Sequence, residues 1–130
     1  MLLTIDMNGR RPIYLQIADG IKTLIARGQL GEGQALPGVR QMALDLGVNL
    51  NTIAAAYREL QSEGLIVVKR GLGARVAVRS GAPTGKHGGD ELRGPLRSAL
   101  TDLVLAGIPQ KQILNLINDE LRTLLKGAKS

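Results

Sequence analysis

Asn49, Asn51, Thr52 and Arg58 fall within one short amphipathic stretch, and a basic, glycine-rich run, Lys69-Arg70-Gly71-Leu72-Gly73, follows soon after. Amides, a hydroxyl and guanidinium groups supply hydrogen bonds and positive charge, which suits reversible contact with phosphate oxygens and base edges of duplex DNA. They do not suggest covalent chemistry. No Ser, His and Asp constellation and no paired-carboxylate site emerges, so an enzyme is not expected. The turn Gly71 to Gly73 joins two expected strands, and with no helix after it to receive a phosphate it is not a nucleotide loop. The chain has no cysteine and a single histidine, His87. A metal site would therefore have to be completed by carboxylates, and neither metal nor cofactor is expected.

The elements that position these groups follow from local spacing. Val39, Met42, Ala43 and Leu46 repeat at i, i+3, i+4, i+7 and bury one face of a short helix. Gly47 supplies a tight turn, and Asn49 is a good N-cap, so a second helix starts near Leu50. Ile53, Ala56, Tyr57 and Leu60 turn inward along it, which leaves Asn51, Thr52, Ala55 and Arg58 on the outer side. Gly64 closes that helix, and Ile66 to Val68 with Ala74 to Val78 form a hairpin around the basic turn. This is a helix-turn-helix with a wing at its side. Upstream, Leu3 and Ile5 suggest a short edge strand and residues 6–11 a turn. Pro12 then opens a helix carrying Ile13, Ile17, Ile21, Leu24 and Ile25 and ending near Arg27-Gly28. Leu30 and Leu36 plug the core from a glycine-punctuated loop.

The chain has 130 residues and a net charge of +6. Residues 1–80 hold ten Lys or Arg against six Asp or Glu, and residues 81–130 hold seven against five. The excess cation sits mainly with the helix-turn-helix and favours a polyanionic partner. No apolar run is long enough to span a bilayer and no secretory pattern opens the chain, so the expected location is cytoplasmic, with no membrane partner. Residues 80–91 are rich in Gly, Pro, Ser and Thr and read as a flexible linker. Two further helices, Leu92 to Ala106 and Pro109 to Leu125, carry more apolar residues than a hairpin can cover. Leu96, Leu100, Leu103, Ile113, Ile117, Leu121 and Leu124 are therefore expected at the seam of a homodimer. The expected fold is mainly α with a small β wing: a winged helix-turn-helix domain over residues 1–79, a linker over 80–91 and a helical dimerisation hairpin over 92–126.

Pro12-Ile13-Tyr14, Gln16-Ile17, Gly28, Leu30 to Gly33, Leu36-Pro37, Arg40, Ala43, Leu46 to Asn49, Asn51-Thr52, Ala56-Tyr57, Leu60, Glu63 to Ile66 and Gly71 to Gly73 form one spaced pattern along the chain. Over residues 1 to about 78 this pattern resembles the DNA-binding domain of the GntR family of bacterial transcription regulators. The short helical tail is similar to the YtrA-like subfamily, small dimers that often repress their own operon. The resemblance implies a repressor that binds a two-fold symmetric operator on double-stranded DNA, with contacts from Arg40, Asn49, Asn51, Thr52, Arg58, Lys69, Arg70 and Gly71. Some relatives carry an aminotransferase-like domain, for which the residues after Gly81 are too few.

The chain departs from that pattern at four positions. Gly38 stands where a Ser is common, Leu50 and Ala54 where Arg is common, and Arg75 where an aromatic is common. Leu50 and Ala54 cannot read guanine as Arg does, although either could meet a thymine methyl. Their apolar character also favours an alternative reading, a protein-interaction adaptor whose winged helix has lost specific DNA binding. Plainer roles stand beside each site residue: Asn49 as a cap alone, Arg58 paired with Glu59 or Glu63, Lys69 and Arg70 as solvated charge. No polar effector pocket is evident; a small apolar ligand could lodge between the C-terminal helices.

Overall fold

A computed structural model describes residues 3–78 and 89–126. They fall into two units divided between those segments. The first holds α1 (Ile13–Ala26), α2 (Val39–Leu46), α3 (Leu50–Ser62), β1 (Ile66–Lys69) and β2 (Gly73–Val76). The second holds α4 (Gly89–Leu105) and α5 (Gln110–Lys126). Among the described residues the architecture is thus five helices with one two-stranded antiparallel sheet as a wing, the winged helix-turn-helix with C-terminal helices that the spacing predicts.

Pro12 precedes α1 with φ −54°, and its carbonyl accepts from the Gln16 amide at 3.1 Å. A missing N–H costs nothing where no intrahelical partner exists. Ile17, Ala18 and Ile21 are buried, with Ile13, Leu24 and Ile25 packed partly around them. The expected edge strand does not form: residues 3–6 have no strand partner. Instead, Gln16 does the pairing a neighbouring strand would. Its Oε1 accepts from the Asp6 amide at 2.7 Å, while its Nε2 donates to the Asp6 carbonyl at 2.9 Å and the Arg11 carbonyl at 2.8 Å. Leu3 lies so close to α1 that a Cβ on Gly20 would meet its Cδ2 at 2.7 Å.

Met42 and Ala43 anchor α2, which ends at Gly47 with φ +67°, a left-handed conformation that suits glycine. Helix α3 packs against α1, α2 and β1. Leu36 donates its amide to Ala74 and Gly33 to Val76, both at 2.9 Å, and Val76 returns its amide to Gln34 at 2.9 Å. Residues 33–36 therefore seal one edge of the wing. Register in the hairpin runs from Ile66 opposite Val76 to Lys69 opposite Gly73. Ala74 and Val76 point into the core, while Gly73 and Arg75 face outward.

In the second unit, Gly107 turns the chain between the helices at φ +81°. The expected linker lies mostly outside the described residues, as does His87. Its last three residues, 89–91, are instead the first turn of α4. Asp90 and Glu91 there complement the positive end of the helix dipole, which favours an earlier start than composition suggests. No described helix is long and apolar enough to cross a membrane.

Tyr57 ties the segment before α2 to α3 by donating its hydroxyl to the Pro37 carbonyl at 2.6 Å. Burial raises its pKa from 10.0 to about 12. The neutral phenol is favoured in the folded state, so stability should be full below pH 10 and fall as pH rises toward 12. Absorbance titration should resolve a phenolate step near 12, absent in Tyr57→Phe. That variant should lose about 1 kcal/mol in denaturant unfolding at pH 7.

Candidate DNA interface

Two adjoining helices and a hairpin present the polar groups in the first unit. Asn49 has extended geometry, φ −64° and ψ 141°, and its Oδ1 accepts from the Asn51 amide at 2.7 Å. This fixes where α3 begins and satisfies a donor that a helix start leaves open. The same bond occupies one lone pair of the Asn49 oxygen and leaves its Nδ2 to donate elsewhere. Ile53, Ala56, Tyr57 and Leu60 are buried on the inner face. Asn51 and Arg58 stand exposed on the opposite side, with Thr52 half-buried at its margin.

Arg58 forms no ion pair among the described residues. Glu63, which could have held it, pairs with Lys22 at 2.8 Å. Arg40 lies in the first turn of α2 and is exposed, while Gln41 on the same helix donates to Asp45 at 2.7 Å. Lys69, Arg70 and Gly71 form the exposed tip of the wing, where Gly71 and Gly73 have φ +80° and +72°. All eight residues assigned to DNA from the sequence thus lie in one unit, on α2, on α3 with its cap, and on the wing tip. The described residues contain no group of His, Asp and Glu that could hold a metal ion.

Two features were not legible in the spacing. Arg75 does not simply add charge to the wing, because its guanidinium donates to the Gly33 carbonyl at 3.0 Å and braces the hairpin. Leu72, at the wing tip, is 61% exposed. An apolar residue between two glycines in a basic turn was the available signal.

A capped, surface-exposed second helix beside a basic two-stranded wing defines a winged helix-turn-helix DNA-binding protein. The profile of the bacterial regulatory proteins, gntR family, matches residues 13–76. The chain is 36% identical over 92% of its length to the uncharacterized HTH-type transcriptional regulator YhcF of Bacillus subtilis, covering 89% of that protein. It is 30% identical to the HTH-type transcriptional repressor YtrA of the same organism, with 98% of each chain covered. Among solved structures, a transcriptional antiterminator from Listeria monocytogenes superposes with a TM-score of 0.87 at 30% identity, covering 96% of this chain and 93% of that one. YtrA from Sulfolobus acidocaldarius, a GntR-family transcription factor, gives 0.62 at 38% identity over 78% of this chain and 99% of its own. The DNA-binding domain of AraR in complex with an operator gives 0.54 at 28% identity over 59% of this chain and 99% of that one. The chain belongs to the GntR family and is a YtrA-like transcription regulator with a DNA-binding domain.

Replacing Asn49 with Ala removes the cap and should cost about 1 kcal/mol in thermal or denaturant unfolding. Asn49→Ser keeps an oxygen acceptor and should recover most of that loss.

Proposed function

We propose that this regulator is a repressor that binds an inverted-repeat operator as a homodimer, with residues 1–79 on DNA and residues 92–126 joining the two copies. The observation that carries the dimer is the second unit, in which Ile113 alone among the described residues reaches a burial of 9% exposure. Leu100, Leu103, Ile117 and Leu124 are half-buried, whereas Leu96 and Leu121 remain exposed. On α5 the residues Ile113, Ile117 and Leu124 share one edge of the apolar arc, and Leu114, Leu121 and Leu125 form a second, exposed edge at i, i+7, i+11. A second copy is the simplest cover for such a stripe, because closed two-fold pairing buries the same patch on both chains.

Two-fold pairing in turn sets the operator. Each α3 enters a major groove, so half-site centres lie about 10 to 11 base pairs, or a multiple, apart. Asn49, Asn51 and Thr52 contact DNA at the start of α3, Arg40 and Arg58 contact phosphates beside it, and Lys69, Arg70 and Gly71 reach the flanking backbone or minor groove. Occupancy of a promoter by such a dimer represses by excluding polymerase. The repressor name of the Bacillus subtilis relative YtrA supports that output. The operator complex of the AraR domain supports the DNA partner.

Selection from a random duplex pool by the purified chain at physiological salt tests this reading. An enriched inverted repeat is expected, with a log-log salt slope of about −0.9 per phosphate contact. Weak, salt-insensitive binding to every duplex would instead support the adaptor reading, which the exposed Leu50 favours. Leu121→Glu puts a charge into the seam without touching the first unit. Sedimentation should show a monomer, with operator affinity lowered at least tenfold; a dimer with unchanged affinity would overturn the assigned seam.

A further inference from the structure

The outer face of α3 carries little that could read guanine. Helical spacing places Leu50, Ala54 and Arg58 in one row at i, i+4, i+8, with Asn51 and Ala55 in the row beside it. Leu50, the first residue of α3, is 41% exposed, and Ala54 and Ala55 are half-buried. In a helix-turn-helix the N-terminal residues of the second helix meet base edges. Those positions here hold Leu50, Asn51, Ala54 and Ala55, and Arg58 lies two turns further along.

The major groove offers few features that suit such a set. The 5-methyl of thymine is the apolar group displayed there, and Asn pairs with adenine through N6 and N7. The Asn51 side-chain amide has no hydrogen-bond partner among the described residues, since its cap contact uses the backbone N–H. Cytosine or guanine opposite Leu50 would lose hydration at a polar edge and gain no partner. We propose that Leu50 and Ala54 are specificity-determining residues that read thymine methyl groups, with Asn51 on adenine, so that each half-site is centred on A·T pairs. This inference rests on the DNA-recognition reading above.

The test uses the full chain and the duplex enriched from the random pool. Replacing a thymine by deoxyuridine removes only the methyl group. At one or two positions per half-site this should weaken binding about fourfold, the value of one buried methyl. Leu50→Ala should still bind, with an unchanged salt slope, but should no longer distinguish thymine from uracil at one of those positions. Circular dichroism verifies that the variant is folded, as expected for an exposed side chain. Substituting cytosine for that thymine should weaken binding further, and 5-methylcytosine should recover about fourfold. An enriched operator insensitive to every thymine-to-uracil change overturns this inference alone, as does an undiminished uracil effect in both Leu50→Ala and Ala54→Ser. A pool with no enriched sequence overturns the DNA-recognition reading, and this inference with it.

Discussion

Helix α3 must be fixed on one side and bare on the other, and the first unit is organised around that requirement. A 13-residue helix is marginal by itself in water, so α3 depends on burial of its inner face for its existence. Ile53, Ala56 and Leu60 are fully buried and Tyr57 nearly so. The cluster they join also includes Ile17 and Ile21 of α1, Met42 of α2 and Ile66, Ala74 and Val76 of the wing. Helix α3 and the wing therefore share one core, and neither can shift without disturbing close packing that tolerates little change in volume. The Lys22–Glu63 pair adds a link between α1 and the end of α3, but its partly exposed partners contribute only modestly beside that burial.

Periodicity made α1, α2 and α3 legible because each buries one stripe, and the cap and turn residues Gly47, Asn49 and Gly64 marked the end of α2 and both ends of α3 within two residues. The wing was legible from its glycines, though the strands run 66–69 and 73–76 and not 66–68 and 74–78. The edge strand at Leu3 and Ile5 was misread for a physical reason: alternation over so few residues does not say which hydrogen-bond partner is present. Gln16, ten residues away from Asp6, supplied that partner through its side chain. The bracing role of Arg75 was hidden similarly, since its Gly33 partner lies 42 residues away. Long-range side-chain to backbone bonds leave no periodic trace in a sequence.

The two units solve the burial problem differently. The first has enough inward-facing residues to close a core from its own elements. The second spends its apolar residues on two faces of two helices, and eight large apolar side chains there, Leu92, Leu96, Val104, Leu105, Leu114, Leu116, Leu121 and Leu125, remain exposed. Large exposed apolar surface of that kind marks an interaction site. If a second copy covers it, association and DNA binding are linked, because joining two reading heads makes the second half-site contact effectively intramolecular. A regulator with few base-reading groups per head gains most from that coupling.

Charge and shape are then divided between different residues. Lys69 and Arg70 at the wing tip, with Arg40 and Arg58 on the helices, are exposed cations, to which the proposed function gives the sequence-independent attraction of phosphate. Arg75, although formally one more cation, is committed to bracing the hairpin. The groups that the proposal places on bases are short or apolar, so their contribution there depends on fit and not on charge. In that proposal Leu50, Asn51 and Ala54 discriminate only when α3 is seated closely enough for a methyl-sized gap to matter, and the Tyr57–Pro37 bond, the Asn49 cap and the shared core hold α3 in place within its unit. Specificity, on the proposed function, accordingly follows from how rigidly α3 is held.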